Sequence, residues 1–323
     1  MIKEITFDQS IQNYIKWKST HIESAHSRYQ TYLYKFRESV KHRTYLRELN
    51  EMDIADFQNQ LKEESYSDAT IAFIIRLVRN FLQYWQADGL ISVNPERIRP
   101  IKYTTPEQPI VDEEDFKRIS DLLDERNLSD LQRKLAIHLL WDTGMRVSEL
   151  TDIKIGNIRQ SEEGMRTAQI ETKKAQRYDL IMWSKSTEEL LLRYLGWRLC
   201  QNHSADHLFI RTDGLTSHRG IATRTVERWV RDLAVQARIR KPITPHSFRH
   251  GKAHNILDNG GTAFDVQTIL RHRNMNSSLN YMRLNERRYI KRASQFCQEQ
   301  GGSSRIAPKF NIASMHSVVY NAV

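Results

Sequence analysis

The chain has 323 residues, a net charge of +10, and 39% hydrophobic against 27% charged residues. That balance excludes a wholly disordered or collagen-like chain, and at roughly 100–200 residues per domain it predicts two or three folded domains. No stretch approaches the ~18 uncharged apolar residues of a membrane span, the N-terminus MIKEITFDQS lacks the apolar run of a secretory signal, and two cysteines, Cys200 and Cys297, are too few for a disulfide framework or a Cys-based zinc site. A reducing cytosolic compartment fits these features, with nucleoid association if the source is prokaryotic.

In chain order, residues 1–94 read as a small helical domain of four or five helices. Phe7, Ile11, Tyr14 and Ile15 recur at helical spacing, as do Tyr29, Tyr32, Leu33 and Phe36. The run IAFIIRLVRNFLQYWQADGL (71–90) keeps that period and meets a C-cap signal at Gly89. Four of the seven prolines, Pro95, Pro100, Pro106 and Pro109, fall close together. Each lacks an amide donor and biases its predecessor away from helix, so residues 95–111 read as an extended linker.

A second domain is expected over 112–300. Asp112 precedes an acidic first turn, and helices are predicted at about 113–126 and 128–143. The short runs IKIGNI, RTAQIET and RYDLIMW predict a three-stranded antiparallel meander over 151–183. Helical periodicity resumes at 186–201 and continues to about 298. Gly301-Gly302-Ser303-Ser304 then breaks the chain before a mildly apolar tail, 301–323. The fold class is therefore mainly α with a small antiparallel β-sheet.

Charge is unevenly spread. Residues 221–300 hold fifteen Lys and Arg against six Asp and Glu. Concentrated positive charge suits a polyanion, of which nucleic acid is the commonest. Three local signals lie in the second domain. In TGMRVSEL, a Thr-Gly turn leads into a short helix with Arg146 in its first turn, where free amides and a guanidinium both suit phosphate. In TPHSFRH, Thr244 suits an N-cap and Pro245 position N1, which puts His246 and Arg249 on one helical face. In the third, Leu270-Arg271-His272 is followed nine residues on by Tyr281. Taken singly, each is a common surface or packing pattern.

In combination and order, these segments resemble the tyrosine recombinase (phage integrase) family, over essentially residues 7–298. The segments TGMRVSEL, TPHSFRHGKAHNILDNG and TILRHRNMNSSLNYM are similar to the family forms TGLRxSEL, HxLRHxxATxLLxxG and LLGHxxxxxTxxYxH. The resemblance implies that Arg146 and Arg249 are the phosphate-clamping arginines, that His246 and His272 are the two further donors, and that Tyr281 is the nucleophile. It also implies a catalytic lysine in the turn Glu171–Arg177, where alignment favours Lys173 over Lys174. Arg271 stands where the family usually has glycine, so a changed local backbone is expected there.

The implied chemistry is DNA strand exchange. Tyr281 would attack the scissile phosphate to give a 3′-phosphotyrosine, with His246 a candidate base for its proton. A lysine would protonate the departing 5′-oxygen, without metal, ATP or other cofactor. The implied partners are double-stranded DNA with short inverted-repeat recombination sites, clamped between a helical core-binding domain and a catalytic domain, and a homo-tetramer on two duplexes passing through a Holliday junction. An accessory directionality factor is a further candidate partner. The tail would dock on a neighbouring subunit or pack in cis. Asp142 and Glu149 are expected to be structural, Asp142 as a helix cap and Glu149 orienting a basic residue. The alternatives are a type IB topoisomerase-like enzyme and a non-catalytic DNA-binding protein.

Overall fold

A computed structural model of the chain describes residues 5–20, 26–99, 101–103, 108–160, 166–172, 177–200, 206–211 and 220–284. Lys173, Lys174, most of the basic run 283–292 and the tail 301–323 lie outside the described residues. Two compact units are present, residues Met1–Glu107 and Gln108–Val323.

The first unit is built from α1 (Phe7–Ser19), α2 (His26–Ser39), α3 (Glu51–Glu63) and α4 (Asp68–Gln86). Its helix starts follow from capping side chains. Thr6 accepts from the Gln9 amide at 3.3 Å while the Gln9 side chain accepts from the Thr6 amide, and Asn50 accepts from the amides of Met52 and Asp53. After α4, Gly89 takes φ +66° and lets the Leu90 amide return to the Trp85 carbonyl. The core is aromatic. Phe7, Phe36, Phe57 and Phe81 are fully buried, with Phe7 edge-on to Phe36 at 5.7 Å between centroids and Phe36 on Phe57 at 5.0 Å. Each such ring contributes about 1.5–3 kcal/mol by leaving water. The first part of the proline-rich stretch belongs to this unit: Pro95–Arg97 forms a 3-10 turn, and Ile98 and Ile101 pack on the same core.

The second unit holds α5 (Glu113–Asp121), α6 (Leu128–Thr143), α7 (Val147–Thr151), β1 (Ile158–Gln160), β2 (Arg166–Thr172), β3 (Arg177–Met182), α8 (Lys185–Cys200), α9 (Thr223–Gln236), α10 (Pro245–Asp258), α11 (Ala263–Leu270) and α12 (Met275–Leu284). Helix α5 stops five residues short of its expected end. Asp124 there accepts from the Arg126 amide and side chain, and this local turn competes with helix.

The sheet is antiparallel in the order β1-β2-β3, with Ile158 opposite Ala168 and Thr167 opposite Met182. Its first strand begins at Ile158 rather than Ile153. The backbone of the expected stretch is engaged elsewhere, since the Leu208 amide donates to the Ile153 carbonyl and the Ile155 amide to the Asp206 carbonyl. Ile155–Asn157 forms a 3-10 turn instead.

Leu135, Leu139 and Leu140 of α6 lie in a core with Leu191 and Tyr194 of α8, Val230 and Leu233 of α9, and Phe248 of α10. Two polar groups in it share one acceptor: Tyr194 donates to Gln132 Oε1 at 2.6 Å, and the Ile210 amide donates to the same oxygen. Val111 docks on α10, its amide donating to the Ser247 carbonyl. Gly251 permits this approach, because a Cβ there would stand 2.0 Å from the Val111 carbonyl oxygen. Among the described residues no helix is long and apolar enough to cross a membrane.

Candidate active site

Four helix ends in the second unit bring the chemistry together. Helix α6 ends at Gly144 in the left-handed conformation, φ +56°. The same glycine faces Leu270, whose Cδ2 would lie 2.4 Å from an added Cβ. The chain then extends through Met145 to Arg146, which stands at the N-cap of α7 rather than in its first turn.

Glu149 turns back on this start. It accepts from the Arg146 amide at 2.9 Å and from Arg146 Nη1 at 2.7 Å. Arg271 Nη2 donates at 3.2 Å to Oε2 of the same buried carboxylate, the oxygen that also accepts the Arg146 amide. Burial alone would raise the Glu149 pKa, but the adjacent Arg271 and Arg146 hold it below the ordinary carboxylate value.

Helix α10 starts as its sequence predicts. Thr244 precedes Pro245 at N1, and the Thr244 amide donates to Ser247 Oγ at 3.1 Å. Arg249 is 2% exposed. Its Nη1 donates to the Gly144 carbonyl at 2.7 Å, and its Nη2 donates to the Leu270 carbonyl. Both acceptors are C-terminal carbonyls, of α6 and α11, where the helix dipole favours a cation. Burial and the neighbouring Arg146 bring the Arg249 pKa down to about 10, so it stays charged at neutral pH.

Helix α11 closes with Arg271 at φ +57°, and the His272 amide reaches back to the Gln267 carbonyl at 2.9 Å. This is the position where the family form usually has glycine. Arg271 adopts the left-handed conformation itself, at about 1–2 kcal/mol, held by Nη1 on the Ile269 carbonyl and Nη2 on Glu149. His272 is buried, with Nδ1 on Ser278 Oγ at 2.8 Å.

Tyr281 lies on α12 with 9% exposure, packed with Ala253, Ile256, Leu257, Val266 and Leu270. Its ring stacks on His272 at 6.0 Å and 8°, and its hydroxyl meets His250 Nδ1 at 2.7 Å. His246 stands edge-on to His250 at 4.5 Å. Burial raises the phenol pKa, with Arg249 opposing. Burial first, and nearby cations second, lower the pKa of His246 and bring that of His272 to about 4.

Five of the six expected residues, Arg146, His246, Arg249, His272 and Tyr281, thus gather on α7, α10 and the α11–α12 segment. Lys173 and its alternative Lys174 lie outside the described residues. Asp142 does not cap its own helix. It accepts from the Ser184 amide, Ser184 Oγ and Thr187 Oγ1 at the start of α8. Three contributors escaped sequence reasoning: His250, Arg271 and Ser278. His250 had a readable signal, since it follows Arg249 directly and lies one turn beyond His246. Ser278 had none, because only the fold brings it to His272.

The sequence profile described as the phage integrase family matches residues 109–288, more than half of the chain. Among curated proteins, the tyrosine recombinase XerD of Listeria monocytogenes is 24% identical over 266 residues, covering 80% of this chain and 86% of its own. A tyrosine recombinase of Thermosipho africanus is 24% identical over 280 residues, covering 85% and 93%. Among solved structures, the XerH site-specific recombinase in a post-cleavage complex with a palindromic difH substrate superposes with a TM-score of 0.73 at 19% identity, over 90% of this chain and 84% of that one. A lambda integrase tetramer bound to a Holliday junction superposes with a TM-score of 0.68 at 17% identity, over 86% and 78%.

Proposed function

The chain belongs to the phage integrase family, and we propose that it is a site-specific DNA recombinase that cleaves and rejoins strands through a 3′-phosphotyrosine at Tyr281. The observation that carries this reading is the setting of Tyr281. A buried phenol lies between two histidines, beside a guanidinium locked onto two helix C-termini. A merely structural tyrosine needs neither the histidine on its hydroxyl nor the buried guanidinium beside it.

In this reading Arg146 and Arg249 place their donor forks on the nonbridging oxygens of the scissile phosphate, where charge grows as the phosphorus becomes five-coordinate. His246 and Nε2 of His272 add donors to the same oxygens. The Tyr281 oxygen forms a bond to phosphorus as the bond to the 5′-oxygen breaks, and Lys173 protonates that leaving oxygen. Attack by the 5′-hydroxyl of another strand reverses the step and exchanges strands. The substrate is double-stranded DNA carrying short inverted repeats, and the working assembly is a homo-tetramer on two duplexes passing through a Holliday junction. The XerH and lambda integrase complexes support this assignment of substrate and assembly.

The test is covalent capture. The protein is incubated in EDTA, without ATP, with nicked substrates built from the DNA flanking its gene, and an SDS-resistant adduct is sought. Adduct formation with the intact protein and its loss in Tyr281→Phe, with DNA binding retained, is the expected result. Binding without any adduct across such substrates would favour a non-catalytic DNA-binding protein.

A further inference from the structure

We propose that His250, rather than His246, is the base that takes the Tyr281 proton, and that it also aims the phenol oxygen. This rests on the strand-exchange reading above. His250 Nδ1 stands 2.7 Å from Tyr281 Oη, the distance a direct proton transfer requires. His246 is one step removed, its ring in contact with the His250 ring rather than the phenol. The placement follows from helical spacing. His246 and His250 are four apart on α10 and share a face, but the second lies one turn deeper, beside the ring of Tyr281 at 5.4 Å between centroids.

The surroundings suit an acceptor. The groups facing His250 are His246, His254 and Arg249 on its own helix and Tyr281 on α12. Burial, then these neighbours, bring the His250 pKa down to about 4, so at neutral pH the ring is uncharged and Nδ1 can accept the phenol proton. His254 meets the Tyr281 ring edge-on at 5.9 Å, and His272 stacks on it at 6.0 Å. A phosphate bound by Arg146 and Arg249 offsets the repulsion between Arg249 and a protonated His250. Substrate binding itself thereby strengthens the base. In the step, the Tyr281 Oη–H proton moves to His250 Nδ1 as the oxygen bonds to phosphorus. The electron pair of the breaking P–O bond leaves with the 5′-oxygen. On rejoining, the imidazolium returns the proton to the departing phenolate.

Adduct formation on a nicked substrate is measured from pH 6 to pH 10 for the intact protein, His250→Gln, His250→Asn and His246→Gln. Thermal melting and DNA binding are measured alongside. The His250 variants should lose about 100-fold in rate near pH 7, and the deficit should shrink as pH rises towards the range where the phenol ionises unaided. Replacing Tyr281 with the more acidic 3-fluorotyrosine should shrink the deficit at lower pH. A deficit constant with pH and untouched by fluorotyrosine would reduce His250 to packing and overturn the proposal. So would a pH-dependent deficit in His246→Gln alone. The second His250 variant keeps the test decisive if one fails to fold. An intact protein that forms no adduct on cognate DNA would overturn the strand-exchange reading itself, a different result from a defect confined to the His250 variants.

Discussion

Arg271 shows how one residue is held in an unfavourable backbone by the contacts it makes. Left-handed φ at a long side chain is costly, yet its guanidinium joins Arg146 across the buried carboxylate of Glu149. Arg271→Gly relieves the backbone and removes two charged hydrogen bonds, to the Ile269 carbonyl and to Glu149, each worth about 1.5–3 kcal/mol. The backbone relief of about 1–2 kcal/mol offsets only part of that loss, so the expected outcome is a melting temperature several degrees below the parent. Adduct formation should slow at least about 10-fold, because Arg146 loses the clamp on its partner. Arg271→Lys should recover less than half of that loss, since a lysine lacks the planar fork. Glu149→Ala is the severe change, leaving two arginines facing each other with no carboxylate between them. It should destabilise the fold by about 3–5 kcal/mol in urea titration. The sign with pH follows from a folded-state pKa below the unfolded one. The Glu149 contribution is complete above about pH 4.3 and is lost as pH falls through the folded value, so parent and Glu149→Gln should converge in stability in acid.

At the scale of elements, the site is an arrangement of helix ends. The C-termini of α6 and α11 supply the carbonyls that fix Arg249, and the α10 start carries His246 and Arg249. Gly144 is the joint. It takes positive φ, approaches Leu270, and offers its carbonyl to Arg249. In Gly144→Ala the added methyl meets both constraints, so stability should fall by about 1–3 kcal/mol. The Arg249 acceptor should shift with it. Thermal melting reads the first effect, and adduct yield at a temperature where the variant remains folded reads the second.

The whole molecule divides into two units with separate cores, one aromatic around Phe7, Phe36 and Phe81, the other aliphatic around Leu135, Leu140 and Val230. A fragment of residues 108–323 should therefore unfold cooperatively on its own, as circular dichroism during thermal melting can check. The second unit also holds several neutral histidines, His272 buried and His138 and His250 half-buried. His138, on Ser120 Oγ at 2.9 Å, and His250 and His272 all have pKa values near 4, chiefly from burial. Their unfolded value is about 6.5, so between those limits the unfolded chain binds more protons than the folded one. Stability should be level above about pH 6.5 and decline as pH falls towards 4. Urea titrations at pH 7.5 and 5.5 should show this decline for the fragment and a smaller one for its His138→Gln variant.

The mainly helical class with a three-stranded meander is legible in the sequence, because periodicity, caps and turn residues are local properties. The sequence also singles out Arg146, His246, Arg249, His272 and Tyr281 as candidates, since the motifs that hold them are contiguous. Local pattern failed where tertiary contacts overrode it. Ile153 and Ile155 are β-prone, but their backbone is claimed by the 206–208 segment and forms no sheet. Asp142 lies at the end of α6 but serves the start of α8. Only the tertiary structure decided which groups touch: Arg271 with Glu149, Ser278 with His272, and His250 with the phenol of Tyr281. Hydrogen bonds of that kind depend on angstrom-scale packing between helices distant in the chain, and one-dimensional spacing does not encode it.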